Sequence, residues 1–337
     1  MKKKTVIFLC FIIFFSCSRR QVSEINGYTM GTTYTVKIVH SNSDYDQSLV
    51  ESEIDEILKK INSSMSVYDK NSEISVFNRM DKNKSLKISA DFMNVLVAGK
   101  RIYEITKGAW DASTGPLVNL WGFGNEKNRV EVPSEEEIKK KLELTGFDKV
   151  ILKPDKNEIL KTKKDLFLDL GSIAKGYGVD KVSKYLLEKG FDDYMVEIGG
   201  EVYVSGKNFK NEKWKIGINS PEKKAKGFDF AEILEITGKA AATSGTYRNF
   251  KKTENGDYSH IIDPTSGYPV KNSIVSATVV AENCTFADGL ATGLLVMGAQ
   301  KALNLCSGLE NTECMIITKK NPGFYPLYSK GFKNICK

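Results

Sequence analysis

Histidine is scarce in this chain, occurring twice in 337 residues, at His40 and His260. Six cysteines are present, but none stands in a CxxC pair or beside a histidine, so the usual zinc spacings are excluded. Cys10 and Cys17 belong to the N-terminal segment. Cys284, Cys306, Cys314 and Cys336 gather near the C-terminus, where an exported protein can pair them, in a connectivity that spacing leaves open. No basic stripe interleaved with aromatics accompanies the net charge of +7, which arises from 49 Lys+Arg against 42 Asp+Glu. The lysines are scattered, as in Lys139–Lys141 and Lys223–Lys226, and many adjoin glutamates. That pattern describes a solvated surface and not a nucleic-acid groove. Internal repeats, low-complexity linkers and a repeating βαβ rhythm are also missing, which argues for one α+β domain over a doubly wound sheet.

Residues 1–17 differ from the rest. Met1-Lys2-Lys3-Lys4 is a basic leader, and Val6–Phe15 is an apolar run broken only by Cys10. A membrane-spanning helix needs about 20 apolar residues, so this run suits an export signal. It ends in Phe14-Phe15-Ser16-Cys17, similar to the lipobox of bacterial lipoproteins, in which the cysteine is lipidated. The expectation is an exported protein held to a membrane through Cys17. Phe14 and Phe15 depart from the usual Leu and small residue, and plain secretion or an uncleaved signal anchor are the alternatives. A polar tether over Ser18–Glu24 would then lead to a single domain over residues 25–337.

Apolar periodicity outlines that domain. Thr33–Val39 alternates as a strand, and Val50, Ile54, Ile57, Leu58 and Ile61 mark one face of a helix. Helices are expected over Phe92–Thr106, from Ser134 to Leu144 behind a capping box, over Ala174–Glu188, and over Asn283–Met297. Strands are expected at Leu166–Leu170, Tyr194–Ile198, Val202–Ser205, Trp214–Ile218, Ile233–Ile236, Ile274–Val280 and Met315–Thr318. Asn125–Val130 and Asn249–Asp257 are polar enough to be exposed loops.

Four segments suit phosphate and metal chemistry. In Asp169–Gly178 a turn of small residues joins Asp169 to a helix whose first turn carries Lys175. Backbone N–H groups and an ammonium there can cradle a diphosphate, although a tight turn with a surface lysine has the same appearance. Asp288 and Thr292 are four residues apart, so on a helix their oxygens share a face, as a Mg²⁺ site requires. A macrodipole-stabilised Asp beside a packed Thr fits that spacing too. Tyr258–Gly267 brings His260 to an Asp-Pro-Thr-Ser-Gly turn, as a general base or as a structural histidine. Met30–Tyr34, Tyr68-Asp69 and Ala109-Trp110-Asp111 offer aromatic faces and carboxylates to flavin rings and ribose, or to the core.

Taken in order, these segments resemble the ApbE family of FAD:protein FMN transferases. The resemblance runs through Met30–Tyr34, Ser66–Asp69, Gly115–Gly124, Asp169–Asp180, Glu197–Glu201, Ala242–Gly245, His260–Gly267 and Ala287–Thr292, covering roughly residues 25–320. It implies an α+β fold of mixed, largely antiparallel sheets with packed helices, related to the T-fold group. Met30, Tyr68, Ala109, Trp110, Asp111, Asp169, Lys175 and Ile262 then correspond to FAD contacts. Asp288 and Thr292 correspond to Mg²⁺ ligands, with Ser172 adding its backbone carbonyl. The implied reaction moves FMN from FAD to a Thr or Ser hydroxyl of an acceptor flavoprotein, releasing AMP. Asp288 and Lys175 would serve the diphosphate and His260 the attacking hydroxyl. The implied acceptors belong to redox complexes of the Na⁺-translocating quinone reductase and Rnf type. An FAD pyrophosphatase and a non-catalytic FAD-binding lipoprotein are the rival readings.

Overall fold

The structure, a computed structural model, describes residues 20–41, 45–123, 131–221, 229–246, 250–253 and 256–337. The signal-like segment with Cys17 and the loop expected over Asn125–Val130 lie outside the described residues. The first two strands, β1 (Gln21–Thr29) and β2 (Thr32–His40), form a hairpin. Its turn is Met30-Gly31, with φ of 49° and 75°, the two-residue geometry that matches strand twist. Ladder pairing begins at Gln21, so the tether expected over Ser18–Glu24 is instead strand from that residue onward. Its alternation is hidden in the sequence because the inward positions carry Ser23, Gly27 and Thr29 beside Ile25, while the apolar Val22 and Tyr28 are exposed.

Helices α1 (Gln47–Met65), α2 (Glu73–Arg79) and α3 (Ala90–Ile105) follow, each opened by a side-chain cap from Asp46, Ser72 and Ser89 respectively. A short β3 (Leu86–Lys87) precedes α3 and joins β5 (Glu158–Lys161) and β4 (Val150–Lys153) in a small sheet. Between them lie α4 (Gly115–Leu120) and α5 (Glu135–Leu142), the latter with the expected capping box between Ser134 and Glu137. Next come α6 (Ala174–Glu188), β6 (Asp193–Ile198), β7 (Glu201–Ser205), and a separate pair, β8 (Trp214–Asn219) and β9 (Phe230–Ile236). The chain continues through β10 (Lys239–Gly245), a hairpin of β11 (Phe250–Thr253) and β12 (Gly256–Ser259), and β13 (Ile274–Ala281). Helices α7 (Cys284–Met297) and α8 (Ala299–Ser307) and strands β14 (Glu313–Lys320) and β15 (Gly323–Tyr328) complete it.

Eight strands form the main sheet in the order β1-β2-β6-β7-β10-β13-β14-β15, every pair antiparallel. Its two faces follow the strand period of two. Val36, Ile38, Val196, Ile198, Ala277 and Val279 pack against Leu58, Leu96, Val182 and Leu290 of the helical layer. Val202, Val204, Ala241, Met315 and Ile317 face Trp214 and Leu234 of the β8–β9 pair. Covered on both sides, β13 is buried at every position. Each fully buried Val, Ile, Leu or Met side chain among these contributes roughly 1.5–3 kcal/mol on burial. The expected α+β class, with antiparallel sheets and packed helices, is what the chain adopts.

Two expected elements differ. Leu166–Leu170 is apolar and buried at alternate positions but belongs to no strand. Its polar backbone is satisfied elsewhere: Leu168 N donates to Asn78 Oδ1 at 2.8 Å, and Asp169 N to Ala112 O at 2.7 Å. The polar stretch Asn249–Asp257, expected as a loop, contributes the described residues 250–253 and 256–257 to the β11–β12 hairpin. Cys284, Cys306, Cys314 and Cys336 are free thiols.

Candidate active site

Helices α6 and α7 meet at their N-terminal ends, and the contact is so close that only glycine fits at position 176. A Cβ there would lie 2.3 Å from Cys284 O and 2.8 Å from Asp288 Cβ. The approach lets Gly176 N donate to Asp288 Oδ2 at 3.0 Å. Helix α7 is held in place by two caps. Asn283 accepts from Phe286 N, and Asp180 of α6 accepts from Cys284 N at 2.7 Å and Thr285 N at 2.8 Å. Both set an acceptor oxygen against unsatisfied N–H groups at the positive end of the helix.

Lys175 stands one residue before this contact. Its ammonium lies 3.8 Å from Asp288 Oδ1 and 3.7 Å from Glu201 Oε2, and donates to Gly171 O at 3.3 Å. Burial disfavours the ammonium, but Asp288 and Glu201 outweigh it and raise the Lys175 pKa above its ordinary value. The Glu201 carboxyl is pushed well up, by burial first and by Asp288 second, with Lys175 opposing. Oε2 of Glu201 is sealed from solvent and lacks a hydrogen-bond partner. One turn along α7 from Asp288, Thr292 Oγ1 pairs with Ser244 Oγ of β10 at 2.9 Å.

These groups line a cleft of about 450 Å³ that also takes in Ala109, Trp110, Asp111, Asp169, Ser172, His260 and Ile262. A second cleft of about 310 Å³ lies on the other side of Asp169 and Gly171, which line both. Met30 and Tyr68 line this second cleft; Met30 holds a left-handed backbone, and Tyr68 is 84% exposed. Every expected site residue in the described chain therefore faces one of two adjoining clefts. A larger groove of about 580 Å³ at the His40 end of β2, lined by Arg20, Tyr45, Tyr185 and Lys189, contains none of them.

The roles of individual side chains differ within the set. The Trp110 indole is 1% exposed and packs edge-on against Phe147, so it presents no free ring face. Its Nε1 donates to Ser172 Oγ at 3.0 Å, which fixes the turn before α6. The Asp111 carboxylate accepts from Ser113 N and Oγ, both at 2.7 Å, and from Phe147 N at 3.2 Å. Burial raises its pKa, opposed by the Ser113 and Phe147 bonds. Asp169 Oδ1 accepts from Gly171 N at 2.8 Å, closing the small-residue turn. His260 lies edge-on to Phe123 at 6.4 Å, and Ile262 joins a small core with Leu117, Leu120, Trp121 and Ile138. That loop is tied down by Trp121 Nε1, which donates to Gly267 O at 2.8 Å, and by Gly267 N, which donates to Asp263 O at 2.8 Å.

Reading the sequence for chemistry did not single out Glu201, Ser244 or Asp180. A carboxylate directly after Gly199-Gly200 at the head of a buried strand was the available signal for Glu201. Among the described residues no cluster of three His, Cys, Asp or Glu side chains forms a metal site. The donors in the cleft are hard oxygens instead: the Asp288 carboxylate, the orphan Oε2 of Glu201, and the Thr292 and Ser244 hydroxyls. That set fits Mg²⁺, which takes few carboxylates and keeps waters.

The sequence pattern of the ApbE family matches residues 30–316. An FAD:protein FMN transferase of Vibrio cholerae is 40% identical over 92% of this chain and 91% of its own. One from Haemophilus influenzae is 38% identical over 94% and 92%. The solved structure of the flavin transferase ApbE from Vibrio cholerae superposes with a TM-score of 0.85 at 38% identity, covering 94% of this chain and 99% of its own. Fold, cleft and relatives together define a transferase enzyme of the α+β class. More particularly, the chain belongs to the ApbE family.

Proposed function

We propose that this chain transfers FMN from FAD to a Ser or Thr hydroxyl of an acceptor flavoprotein, in a Mg²⁺-dependent reaction that releases AMP. The observation that carries this reading is the constellation of buried Asp288 with half-buried Lys175 and Thr292 in a cleft that adjoins a second one lined by Met30 and Tyr68. A dinucleotide spanning the Asp169–Gly171 strap would set its diphosphate beside Lys175. Asp288 and Thr292, with the backbone carbonyl of Ser172, would hold Mg²⁺, whose chemistry here is to neutralise charge on the diphosphate. Lys175 and the positive N-terminal end of α6 would add fixed positive potential where the leaving AMP gathers charge. The acceptor oxygen bonds to the FMN phosphorus as the bridging P–O bond to AMP breaks, and His260 takes the hydroxyl proton.

Trp110 and Asp111 support the site by fixing the Ser172 turn and the 111–113 turn. Tyr68, exposed at the mouth, would cover a flavin or adenine ring. The family, the relatives' named activity and the cleft residues support the reading. Incubation with FAD and Mg²⁺, with and without an acceptor protein, tests it by mass spectrometry and nucleotide analysis. FMN-labelled acceptor plus AMP supports transfer. Free FMN without labelling identifies a pyrophosphatase, and intact FAD identifies a carrier; either result sinks the proposal. Acceptors in extracytoplasmic parts of Na⁺-translocating quinone reductase or Rnf-type complexes, and anchoring at a membrane through Cys17, complete the reading. The export-like leader of residues 1–17 supports this placement. Among the described residues no helix is long and apolar enough to cross a membrane.

A further inference from the structure

The main sheet contains a gap beside the catalytic cleft. Strand β7 pairs with β10 only through Lys239–Ala241, opposite Val202–Val204. Beyond that, Glu201 opens β7 opposite Ala242, and β13 continues to pair with β10 as far as Gly245, but no described strand lies on the β7 side of Thr243–Gly245. The chain turns away there at Gly199 and Gly200, whose φ of 65° and 107° take it back from β6 into β7. An open strand edge of this kind is a template for another strand.

A groove of about 160 Å³ runs along this gap, floored by Gly199, Gly200, Gly217 and Asn219 and sharing Thr243 and Gly245 with the catalytic cleft. None of its lining side chains is charged, and at Gly200 nothing lies within 4 Å of where a Cβ would stand, which leaves room there for a backbone. The two sides of the gap differ. Thr243 Oγ1 pairs with Thr278 Oγ1 at 2.8 Å, whereas Ser244 Oγ turns toward α7 and meets Thr292 Oγ1. At the head of the gap, Glu201 is 4% exposed and its Oε2, buried in the catalytic cleft, has no hydrogen-bond partner. A hydroxyl arriving there would supply the missing donor.

We infer that an extended, neutral segment of the acceptor protein, bearing the reacting Ser or Thr between small residues, adds as a strand to the open edge of β10 at Thr243–Gly245. Alternate side chains of an added strand point to opposite faces of the sheet. A threonine opposite Ser244 is thus aimed at Glu201 and Thr292, while its neighbours face the glycine floor. The inference deepens the proposed function and rests on it for the identity of the occupant.

Binding is measurable apart from chemistry. A fluorescent peptide of glycine and alanine with one central threonine is titrated with full-length protein, FAD and EDTA, and read by polarisation. Two further peptides carry N-methyl groups on one or the other alternate set of backbone amides. Saturable binding is expected, weakened at least tenfold by one N-methyl set and spared by the other, because alternate N–H groups of a strand face the same neighbour. Asn219→Trp, at an exposed groove position, is expected to weaken peptide binding at least tenfold with FAD affinity unchanged. No binding by the wild type, equal behaviour of the two N-methyl peptides, or full binding by Asn219→Trp would overturn the docking mode. The alternating pattern without FMN on the peptide after Mg²⁺ addition supports docking and counts against the transferase reading instead.

Discussion

Asp288 faces the cleft with one oxygen and accepts the Gly176 amide with the other. Asp288→Ala is therefore expected to lower FMN transfer by several orders of magnitude, measured by mass spectrometry of the acceptor, and to lower the melting temperature as well. Unchanged labelling would remove the residue from the chemistry. Gly176→Ala acts on the same contact from the other helix. Its methyl would sit 2.3 Å from the Cys284 carbonyl, so the helices must part and the charge constellation with them. Loss of activity with a destabilisation of about 1–3 kcal/mol, typical of overpacking, is expected in denaturant titrations. For His260→Ala the expected loss in kcat is on the order of 10²-fold, as for a deleted general base; an unimpaired variant would assign His260 to the turn alone. The i, i+4 spacing left Asp288 and Thr292 open between a metal pair and a capped, packed pair; the family resemblance singled them out, and both line the cleft. Glu201 was not legible in the sequence, because a lone acid opening a strand reads as surface until a helix and a lysine are packed over it. Trp110 shows the converse: an aromatic beside small residues looks the same in a sequence whether it stacks on a ligand or on Phe147.

At the level of elements, strongly periodic segments were readable and weakly amphipathic ones were not. Helices α6 and α7 begin and end within a residue of their expected limits and α1 contains the whole expected apolar face; apolar spacing marks all three, with side-chain caps on α1 and α7. Leu166–Leu170 misleads because alternation reports burial and says nothing of whether a partner strand is available. The β11–β12 hairpin is polar and so shows no alternation at all. Helix α5 offers a test of the capping argument: Ser134→Ala removes the hydroxyl that accepts from Glu137 N, while the backbone N–H of position 134 can still donate to Glu137 Oε2, and is expected to cost about 1 kcal/mol in thermal or urea unfolding. Asp91, in the first turn of α3, links that helix to α6 by accepting from Tyr177 Oη at 2.7 Å and Lys181 Nζ at 2.9 Å. Burial raises its pKa, but these two bonds prevail and leave it depressed. Its stabilising effect is then complete above the unfolded value of about 3.9 and fades as pH falls below it toward the folded value. Asp91→Asn should accordingly lose less melting temperature than wild type between about pH 6 and about pH 3. A parallel acid response in both proteins would contradict this.

Over the whole molecule, the helical layer and the β8–β9 pair enclose the sheet from opposite sides, and the clefts open where α6, α7 and the 260–267 loop converge. Chelation with EDTA is expected to abolish transfer and added Mg²⁺ to restore it, read as acceptor labelling; activity that survives exhaustive chelation would refute the metal requirement. Detergent phase separation of wild type and Cys17→Ala addresses anchoring, with the variant expected in the aqueous phase.

The clasp between Gly176 and Asp288 has a further consequence for how this protein can change. A descendant that abandoned its reaction would still need an acid at that place, because two helices align on it. Retention of the residue in some distant cousin would then testify to architecture, and only the fate of Thr292 and Lys175 would reveal whether the chemistry had survived.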